Sequence, residues 1–451
     1  MSEIFKAYDI RGLYPSEFNE DWAYRIARAF AALRQQELGR LTLRLAVGQD
    51  MRISSPSLKA AVAAGLSDSG VQIVDIGLVS TPTFYFGVAY FNYDGGLMVS
   101  ASHNPARYNG LKLVRSKASP VGINSGLATV KQLALANKFA KVAEHGQLEA
   151  NGSVLETELK TELPPADLQG IKPFKIVADT ANGMGSLYLE ALFKKLPCQL
   201  IKMFWELDGS FPNHEADPLK EENLQWLKDR VIREEADLGI ATDGDGDRIF
   251  FVDNEGQTIE PAIIRGLLAK IFLRQQPGAK IGYDIRPGRI TRDLIEEAGG
   301  QPVITRVGHS LIKDQMLKEG IYFSGESSGH YFLNQPYGCF EMPLIVTAKL
   351  LKEFSDSGQT VADQVRPYRR YHNSGEINSQ VKDPAKVLAK LKKQYQAGQQ
   401  SGLDGLSVEY ADWWFNVRAS NTEPLLRLSV EAPSQDLMAA KRDELLKLIR
   451  G

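Results

Sequence analysis

Three stretches of this chain share one pattern, and that pattern narrows the possible folds more than anything else in the sequence. They are LRLAVGQDMRISSPSLKAAVAAGLSDSGVQIVDIG from Leu43, FKIVADTANGMGSLYLEALFKKLPCQL from Phe174 and AKIGYDIRPGRITRDLIEEAGGQPVITRVG from Ala279. Each opens with a short apolar run ending at an aspartate: Asp50, Asp179 and Asp284. A loop rich in Gly, Ser or Pro follows, then helical periodicity, then a second β-rich run. Uninterrupted apolar runs are strands buried on both faces, and a strand–helix–strand order joins parallel strands. The loop lengths differ between the copies, so the pattern is either one βαβ unit repeated or three independent segments of an α/β protein. At about 150 residues per domain, 451 residues give three domains or four small ones. From about Tyr371 the pattern changes. SGEINSQV, LSVEY and EPLLRLSVEA predict strands, while DPAKVLAKLKKQY and residues 434–449 predict helices, a smaller α+β domain entered through the polar VRPYRRYHNSG. Near the N-terminus, residues 21–38 have the spacing of a helix with one buried face.

Composition excludes several classes. Hydrophobic residues make up 43% and charged residues 24%, as in ordinary globular chains. Lys+Arg total 53 against 55 Asp+Glu, a net charge of −2, which argues against a chain built to grip nucleic acid or anionic membrane. Cys198 and Cys339 lie far apart with no CxxC, so reduced structural thiols are expected. MSEIFKAYDIRG lacks the apolar core of a signal peptide, and no apolar run approaches the ~20 residues of a membrane helix. A soluble cytoplasmic protein is expected.

The strongest local signal is TDGDGDR, Thr242 to Arg248, between the apolar runs ADLGIA and IFFVD. In an extended loop alternate residues project to one side, so Asp243, Asp245 and Asp247 converge, with the glycines allowing tight curvature. Three such carboxylates stay ionised together only around a cation, and hard oxygen donors suit Mg²⁺ or Ca²⁺. An EF-hand would need Gly where Arg248 stands and Glu where Asn254 stands. The rival reading is an Asp/Gly surface turn. VSASHNPARYNGLK, Val99 to Lys112, follows an apolar strand, the place where α/β sheets put ligands. Ser102 is its candidate nucleophile, without a GxSxG elbow; in extended backbone His103 would point away from it, so no Ser–His–acid triad is expected. SGESSGH alternates Glu326, Ser328 and His330 on one side, a set suited to adjacent sugar hydroxyls or simply to a turn. VRASNTEP offers Arg418, Ser420, Asn421 and Thr422 to a phosphate dianion, or else forms an N-cap and turn. His309, in RVGHS, is either a ligand contact or a turn residue, while His145, His214 and His372 carry no motif.

Taken together, from KAYDIRG (Lys6 to Gly12) through FPNHEADPLKEENL (Phe211 to Leu224) to RASNTEP (Arg418 to Pro424), these motifs resemble the α-D-phosphohexomutase family, most closely its bacterial phosphomannomutase/phosphoglucomutase branch. The resemblance implies three related α/β domains with mixed sheets of βαβ type and a smaller C-terminal α+β domain, around a central cleft. We place them at 1–149 (phosphoserine loop), 150–255 (metal loop), 256–367 (sugar loop) and 368–451 (phosphate-binding domain). It implies a phosphoryl group on Ser102 and one Mg²⁺ held by that phosphate with Asp243, Asp245 and Asp247. Glu326 and Ser328 would hold sugar hydroxyls, and Arg418, Ser420, Asn421 and Thr422 the non-reacting phosphate. Arg11, Lys112, Arg248, His309 and His330 match family positions lining the cleft, His103 and Arg286 are further candidates for substrate binding, and Lys112 and His330 are the candidates for proton transfer, with Lys112 equally a pure electrostatic stabiliser. Three aspartates, a phosphoserine of about −2 and a divalent cation leave about −3, so the site needs the cations Arg11, Lys112, Arg248 and Arg418.

The implied reaction interconverts hexose 1-phosphate and hexose 6-phosphate, of mannose or glucose, through a hexose 1,6-bisphosphate, with sugar phosphates the only partners expected. Some positions depart from the family pattern: Arg286 stands where Lys is common and cannot donate a proton at neutral pH, Ser327 stands where Met is frequent, and Glu341–Met342 replaces a commonly acidic pair. A glucosamine-phosphate mutase is disfavoured by AYDIRG and by the adjacent Ser327 and Ser328. A Mg²⁺-dependent sugar phosphatase would need a nucleophilic Asp in a strand-end DxD, and a silent sugar-phosphate-binding protein fits poorly with an intact Ser102 and Asp triplet. Nothing marks an oligomer interface; a monomer is expected, with a dimer left open.

Overall fold

The computed structural model describes residues 4–286, 288–419 and 425–451. It divides into two compact units, Met1–Ile259 with Ser328–Ala362, and Glu260–Ser327 with Asp363–Gly451.

The first unit is built on two mixed sheets. The six-stranded sheet runs in the order Ile10–Leu13, Tyr108–Arg115, Gly95–Val99, Arg44–Gln49, Gln72–Leu78, Leu148–Ala150. Arg44–Gln49 pairs in parallel with both neighbours, whereas Tyr108–Arg115 is antiparallel to both of its own. The five-stranded sheet runs Thr258–Ile259, Ile249–Asp253, Leu238–Thr242, Lys175–Asp179, Gln199–Met203. Here too the βαβ pairs are parallel, and the strands on either side of the TDGDGDR loop are antiparallel. Gly95–Val99 and Leu238–Thr242 are buried at every residue, which is why their sequences show no polar alternation. Ser328–Ala362 adds an antiparallel hairpin, Tyr331–Gln335 with Gly338–Glu341, and the helix Pro343–Ser355.

The second unit carries the third predicted βαβ element. Lys280–Asp284 lies parallel to Gln301–Thr305 and to Phe323–Gly325, with the helix Arg289–Glu297 as the crossover. The tail forms an antiparallel sheet ordered His372–Asn373, Leu425–Ala432, Trp414–Ala419, Leu406–Glu409, Gln399–Ser401, with Ile377–Gln380 also on Leu425–Ala432. Its core joins Phe415, Val417, Leu426 and Leu428 to Leu391 of the helix Pro384–Gln394 and to Met438 and Leu445 of the helix Gln435–Arg450. Trp414–Ala419 is a strand that the sequence reading did not mark. All three predicted βαβ units are present, and the fold class is the expected one: three α/β elements with mixed sheets and a smaller α+β end. Both cysteines are free thiols. Among the described residues, no helix is long and apolar enough to cross a membrane.

The helix Glu20–Leu38 shows how local chemistry sets these elements. Asn19 accepts from the Trp22 amide at its start, and Gly39 ends it in a left-handed turn. It packs closely on the helix Ser55–Ser67 because Gly65 has no side chain: a Cβ there would lie 2.5 Å from the Tyr24 carbonyl oxygen and 3.0 Å from Ala27 Cβ. Gly65→Val is therefore expected to destabilise the first unit by about 1–3 kcal/mol, read as a lower midpoint in urea unfolding followed by circular dichroism.

Candidate active site

Two loops from the two sheets of the first unit meet. One leaves the strand Gly95–Val99 and carries Ser102; the other is TDGDGDR. Ser102 has φ +52°, a left-handed conformation that costs a non-glycine residue about 1–3 kcal/mol. The loop is pinned there by Arg52, which is buried and donates to the carbonyl oxygens of Ser102 (2.8 Å), Asn104 (2.6 Å), Pro105 (2.9 Å) and Tyr108 (3.0 Å). Asp50, at the end of its strand, holds the Arg52 guanidinium at 3.2 Å. The aspartate loop closes onto the same backbone: a Cβ on Gly244 would lie 2.6 Å from the Ser102 carbonyl oxygen, so only glycine fits.

Ser102 is 2% exposed, and its Oγ donates to Asp243 Oδ2 at 2.9 Å. The expectation that His103 points away fails. The left-handed φ of Ser102 turns the chain, and His103 Nδ1 lies 3.2 Å from Ser102 Oγ. Burial, with Arg248 and Arg11 nearby, holds His103 well below the usual histidine range, so its ring is neutral. The pair still lacks an acid behind the ring in the described contacts.

Asp243, Asp245 and Asp247 are buried, and one carboxylate oxygen from each lies within 4.8 Å of the others. Burial, then Asp247 and Asp245, pushes the Asp243 carboxyl well above its ordinary range. Asp247 is held well below it despite burial, by Lys112 and His330. Lys112 Nζ bridges Asp245 Oδ2 (2.7 Å) and Asp247 Oδ2 (2.6 Å). Burial alone would lower the lysine pKa; the two aspartates reverse this and hold it well above the ordinary value. Thr81 Oγ1 (2.6 Å) and Ser100 Oγ (3.3 Å) also donate to Asp245 Oδ2. Asp245 Oδ1 is buried without a hydrogen-bond partner. A buried carboxylate oxygen left idle among two other carboxylates is the donor set of a hard divalent cation, so the residues fit Mg²⁺ or Ca²⁺.

The cations and His330 are arranged around this group. Arg11 reaches Asp9 (2.8 Å) and Asn104 Oδ1 (2.6 Å). The Arg248 amide donates to Asp243 Oδ1 at 3.2 Å, while its side-chain Nε and Nη1 are buried without hydrogen bonds; its nearest carboxylates are Asp217 at 3.5 Å and Asp243 at 3.8 Å. Such a fork beside Ser102 suits a phosphoryl group. His330 Nε2 lies 3.1 Å from Asp247 Oδ1, and its Nδ1 2.9 Å from Ser328 Oγ. The first unit thus brings together Arg11, Ser102, His103, Lys112, the three aspartates, Arg248, Ser328 and His330.

The second unit holds the other candidates. Arg286 pairs with Asp284 (2.5 Å) and Glu326 (3.2 Å), and Glu326 accepts from the Gly308 amide at 2.9 Å, just ahead of His309. Asp284 also binds Arg265 at 2.5 Å and accepts from the Ser327 hydroxyl at 2.7 Å. Arg418 is buried and paired with Glu376. Ser420, Asn421 and Thr422 lie outside the described residues. Sequence reasoning missed Arg52, Thr81 and Ser100. Arg52 had a signal, since it stands two residues beyond the strand-end Asp50; Thr81, 164 residues from Asp245, had none.

Family models for phosphoglucomutase/phosphomannomutase match nearly the whole chain: alpha/beta/alpha domain I at residues 2–140, domain II at 158–256, domain III at 260–371 and the C-terminal domain at 376–448. A phosphomannomutase of Escherichia coli is 40% identical over 460 residues, covering 99% of both chains. A protein of Xanthomonas campestris pv. campestris (strain B100) described as "phosphohexose mutases" is 40% identical over 457 residues, again covering 99% of both. The crystal structure of a phosphoglucomutase/phosphomannomutase family protein from Burkholderia thailandensis aligns with a TM-score of 0.89 at 32% identity, over 99% of this chain and 97% of that one. With the serine loop, the aspartate loop and all four segments in family order, the chain belongs to the phosphoglucomutase/phosphomannomutase family.

Proposed function

We propose that this protein is a phosphohexomutase that interconverts the 1- and 6-phosphates of mannose, glucose or both. The observation that carries the reading is the Ser102 hydroxyl, buried and hydrogen-bonded to Asp243 within the aspartate triplet. The four-segment division given above is retained as its working domain plan. Asp243, Asp245 and Asp247 are the residues that would hold Mg²⁺, which supplies charge neutralisation to a phosphoryl group on Ser102.

The chain's own residues account for the rest of the chemistry. Phosphoryl transfer rests on positioning and on neutralising spread charge. In the first half-reaction the bond from Ser102 Oγ to phosphorus breaks as the bond to the substrate's free hydroxyl oxygen forms, and the hydroxyl proton must leave. His330 is favoured for that proton, because its ring is anchored between Ser328 and Asp247. Lys112 is favoured as a permanent cation, since Asp245 and Asp247 retain its proton. Arg248 offers idle donors to the phosphoryl oxygens. In the second half-reaction, a hexose 1,6-bisphosphate presents its other phosphate and Ser102 recovers a phosphoryl group. Arg286, Glu326, His309 and Arg418 are assigned to the sugar and the non-reacting phosphate, together with His103 and Ser328 near the serine. A phosphoglucosamine mutase, a sugar phosphatase and a silent binding protein are not favoured beside the full-length likeness to phosphomannomutases.

The intact mass of the purified protein should show a fraction carrying one phosphoryl group, and Ser102→Ala should lose both that species and mutase activity. Release of inorganic phosphate without isomerised sugar phosphate would reject the reading. Assaying mannose 1-phosphate against glucose 1-phosphate, with Mg²⁺ and catalytic bisphosphate, ranks the two sugars. Lys112→Met should lower kcat by roughly 10²–10³-fold, the usual loss for one removed charge-stabilising donor, with a smaller change in KM. Chelation of divalent cations should abolish turnover, and added Mg²⁺ should restore it.

A further inference from the structure

The helix Val154–Glu162 buries two acids one turn apart. Glu158 is 2% exposed and Glu162 6%. Glu158 Oε2 and both oxygens of Glu162 are buried without hydrogen-bond partners. Among the described residues, Thr83 engages Glu158 through a hydrogen bond. The helix packs against the helices Thr81–Tyr90, Gly185–Phe193 and Pro343–Ser355. Their phenols, Tyr85, Tyr90 and Tyr188, and Tyr337 of the hairpin turn are the neutral titratable groups on these elements. The charged groups on these helices besides the two acids are Glu156, Lys160, Glu190, Lys349, Lys352 and Glu353, of which Lys160 pairs with Glu156 (2.6 Å), Lys349 with Asp167 (3.0 Å), Lys352 with Asp356 (3.1 Å) and Glu190 with Lys202. Two bare carboxylates in such a place would each pay a large desolvation cost and repel one another.

Glu158 is linked to the aspartate loop through the turn that starts the helix Thr81–Tyr90, and Glu162 lies one helical turn beyond it. Thr83, the neighbour of Glu158, is fastened to Ser80 at 2.9 Å at the start of its helix. Thr81 of that same turn holds Asp245 through its hydroxyl (2.6 Å) and its amide (2.9 Å). On the other flank, Tyr188 of the helix Gly185–Phe193, which packs against the helix of the two acids, donates to the Gly246 carbonyl oxygen at 3.2 Å. We propose that Glu158 and Glu162 are a neutral carboxylic-acid pair that props the aspartate loop from behind, and that loss of their protons loosens the turn Ser80–Thr83 and weakens cation binding at Asp243, Asp245 and Asp247. The second clause rests on the metal reading of that loop; the first does not.

Burial raises the Glu158 pKa from its ordinary 4.5 to about 8, and burial with the Glu158 charge raises Glu162 well above its own. The sign follows from proton linkage. The folded chain keeps protons that the unfolded chain releases above pH 4.5, so these groups oppose folding increasingly from there until the folded pair itself ionises. Thermal unfolding of the full-length parent and of Glu158→Gln should give a difference in Tm that moves in favour of the variant from pH 4.5 to about pH 8. A difference independent of pH, or one moving the other way, overturns the neutral pair. Infrared spectra of the parent at neutral pH should contain the carbonyl stretch of a protonated acid that E158Q/E162Q lacks; its absence in the parent also overturns the proposal, even if the variants fold poorly. Calorimetric titration with Mg²⁺ tests the second clause: above about pH 8 the parent should lose several-fold more affinity than E158Q/E162Q, relative to neutral pH. An equal loss in both refutes the coupling. No Mg²⁺ binding in either at any pH refutes the metal reading, while the unfolding and infrared results still decide the pair.

Discussion

The hydrogen bond from Ser102 Oγ to Asp243 Oδ2 joins two residues 141 positions apart, and the first unit is arranged to make it possible. Each participant is in an unfavourable state. Ser102 sits in a left-handed conformation, and Asp243 is buried beside two further carboxylates. Such states persist only where the surroundings over-determine them. Arg52 supplies that constraint by tying four carbonyl oxygens of the serine loop to Asp50, and the side-chain-free Gly244 lets the aspartate loop close on it. A serine whose backbone is this firmly held can present one oxygen to phosphorus in a fixed direction, which is most of what catalysis of phosphoryl transfer requires.

Electrostatics then decides what fills the space around that oxygen. Two unit charges 4 Å apart interact by about 4 kcal/mol at an effective dielectric of 20, so three aspartates within 4.8 Å need compensation close by. Lys112 and His330 compensate Asp247 and part of Asp245, but Asp245 Oδ1 and the Arg248 donors are left idle. An unsatisfied acceptor on Asp245 and unsatisfied donors on Arg248 suit a cation and an anion respectively. Asp243, Asp245 and Asp247 would hold a divalent cation and Arg248 would take the oxygens of a phosphoryl group, whereas a purely structural ion-pair network would not leave both ends open.

Much of this was legible in the sequence because it is local. The Asp–Gly alternation forces three carboxylates to one side whatever the rest of the chain does, and the apolar runs ending at Asp50, Asp179 and Asp284 became strands of parallel pairs, as a βαβ signature requires. The resemblance supplied the link between loops that lie far apart in the chain. What stayed illegible is tertiary. Thr81 and Ser100 hold Asp245 only because two sheets bring their edges together. His103 was misplaced because an extended chain was assumed where a strained one was needed, and the strain exists only because Arg52 maintains it. Trp414–Ala419 was legible but went unmarked: Phe415, Val417 and Ala419 alternate with Asn416 and Arg418, although every residue but Ala419 is buried.

The cations of the second unit are paired as Arg11 and Lys112 are, and unlike Arg248. Arg286 and Arg418 already have carboxylate partners, Asp284 with Glu326 and Glu376 respectively. A buried guanidinium cannot stand alone, and an unpaired one would destabilise the fold by several kcal/mol, on the order of 3–5. The acids therefore hold the buried Arg418 and the largely buried Arg286 in fixed orientations. A guanidinium has five donors, and one carboxylate occupies two at most, so a phosphate can add to the pair rather than displace it. Under the proposed function, each arginine would meet a phosphate with its desolvation cost already met by the fold, and the acid beside it would limit how much negative charge could be added. Arginine suits this duty better than lysine, whose single charged centre would be shared between acid and phosphate rather than forked between them. That gives the Arg286 position a physical reason of its own: what is given up in proton donation is returned as a fixed cation aligned by Asp284 and Glu326.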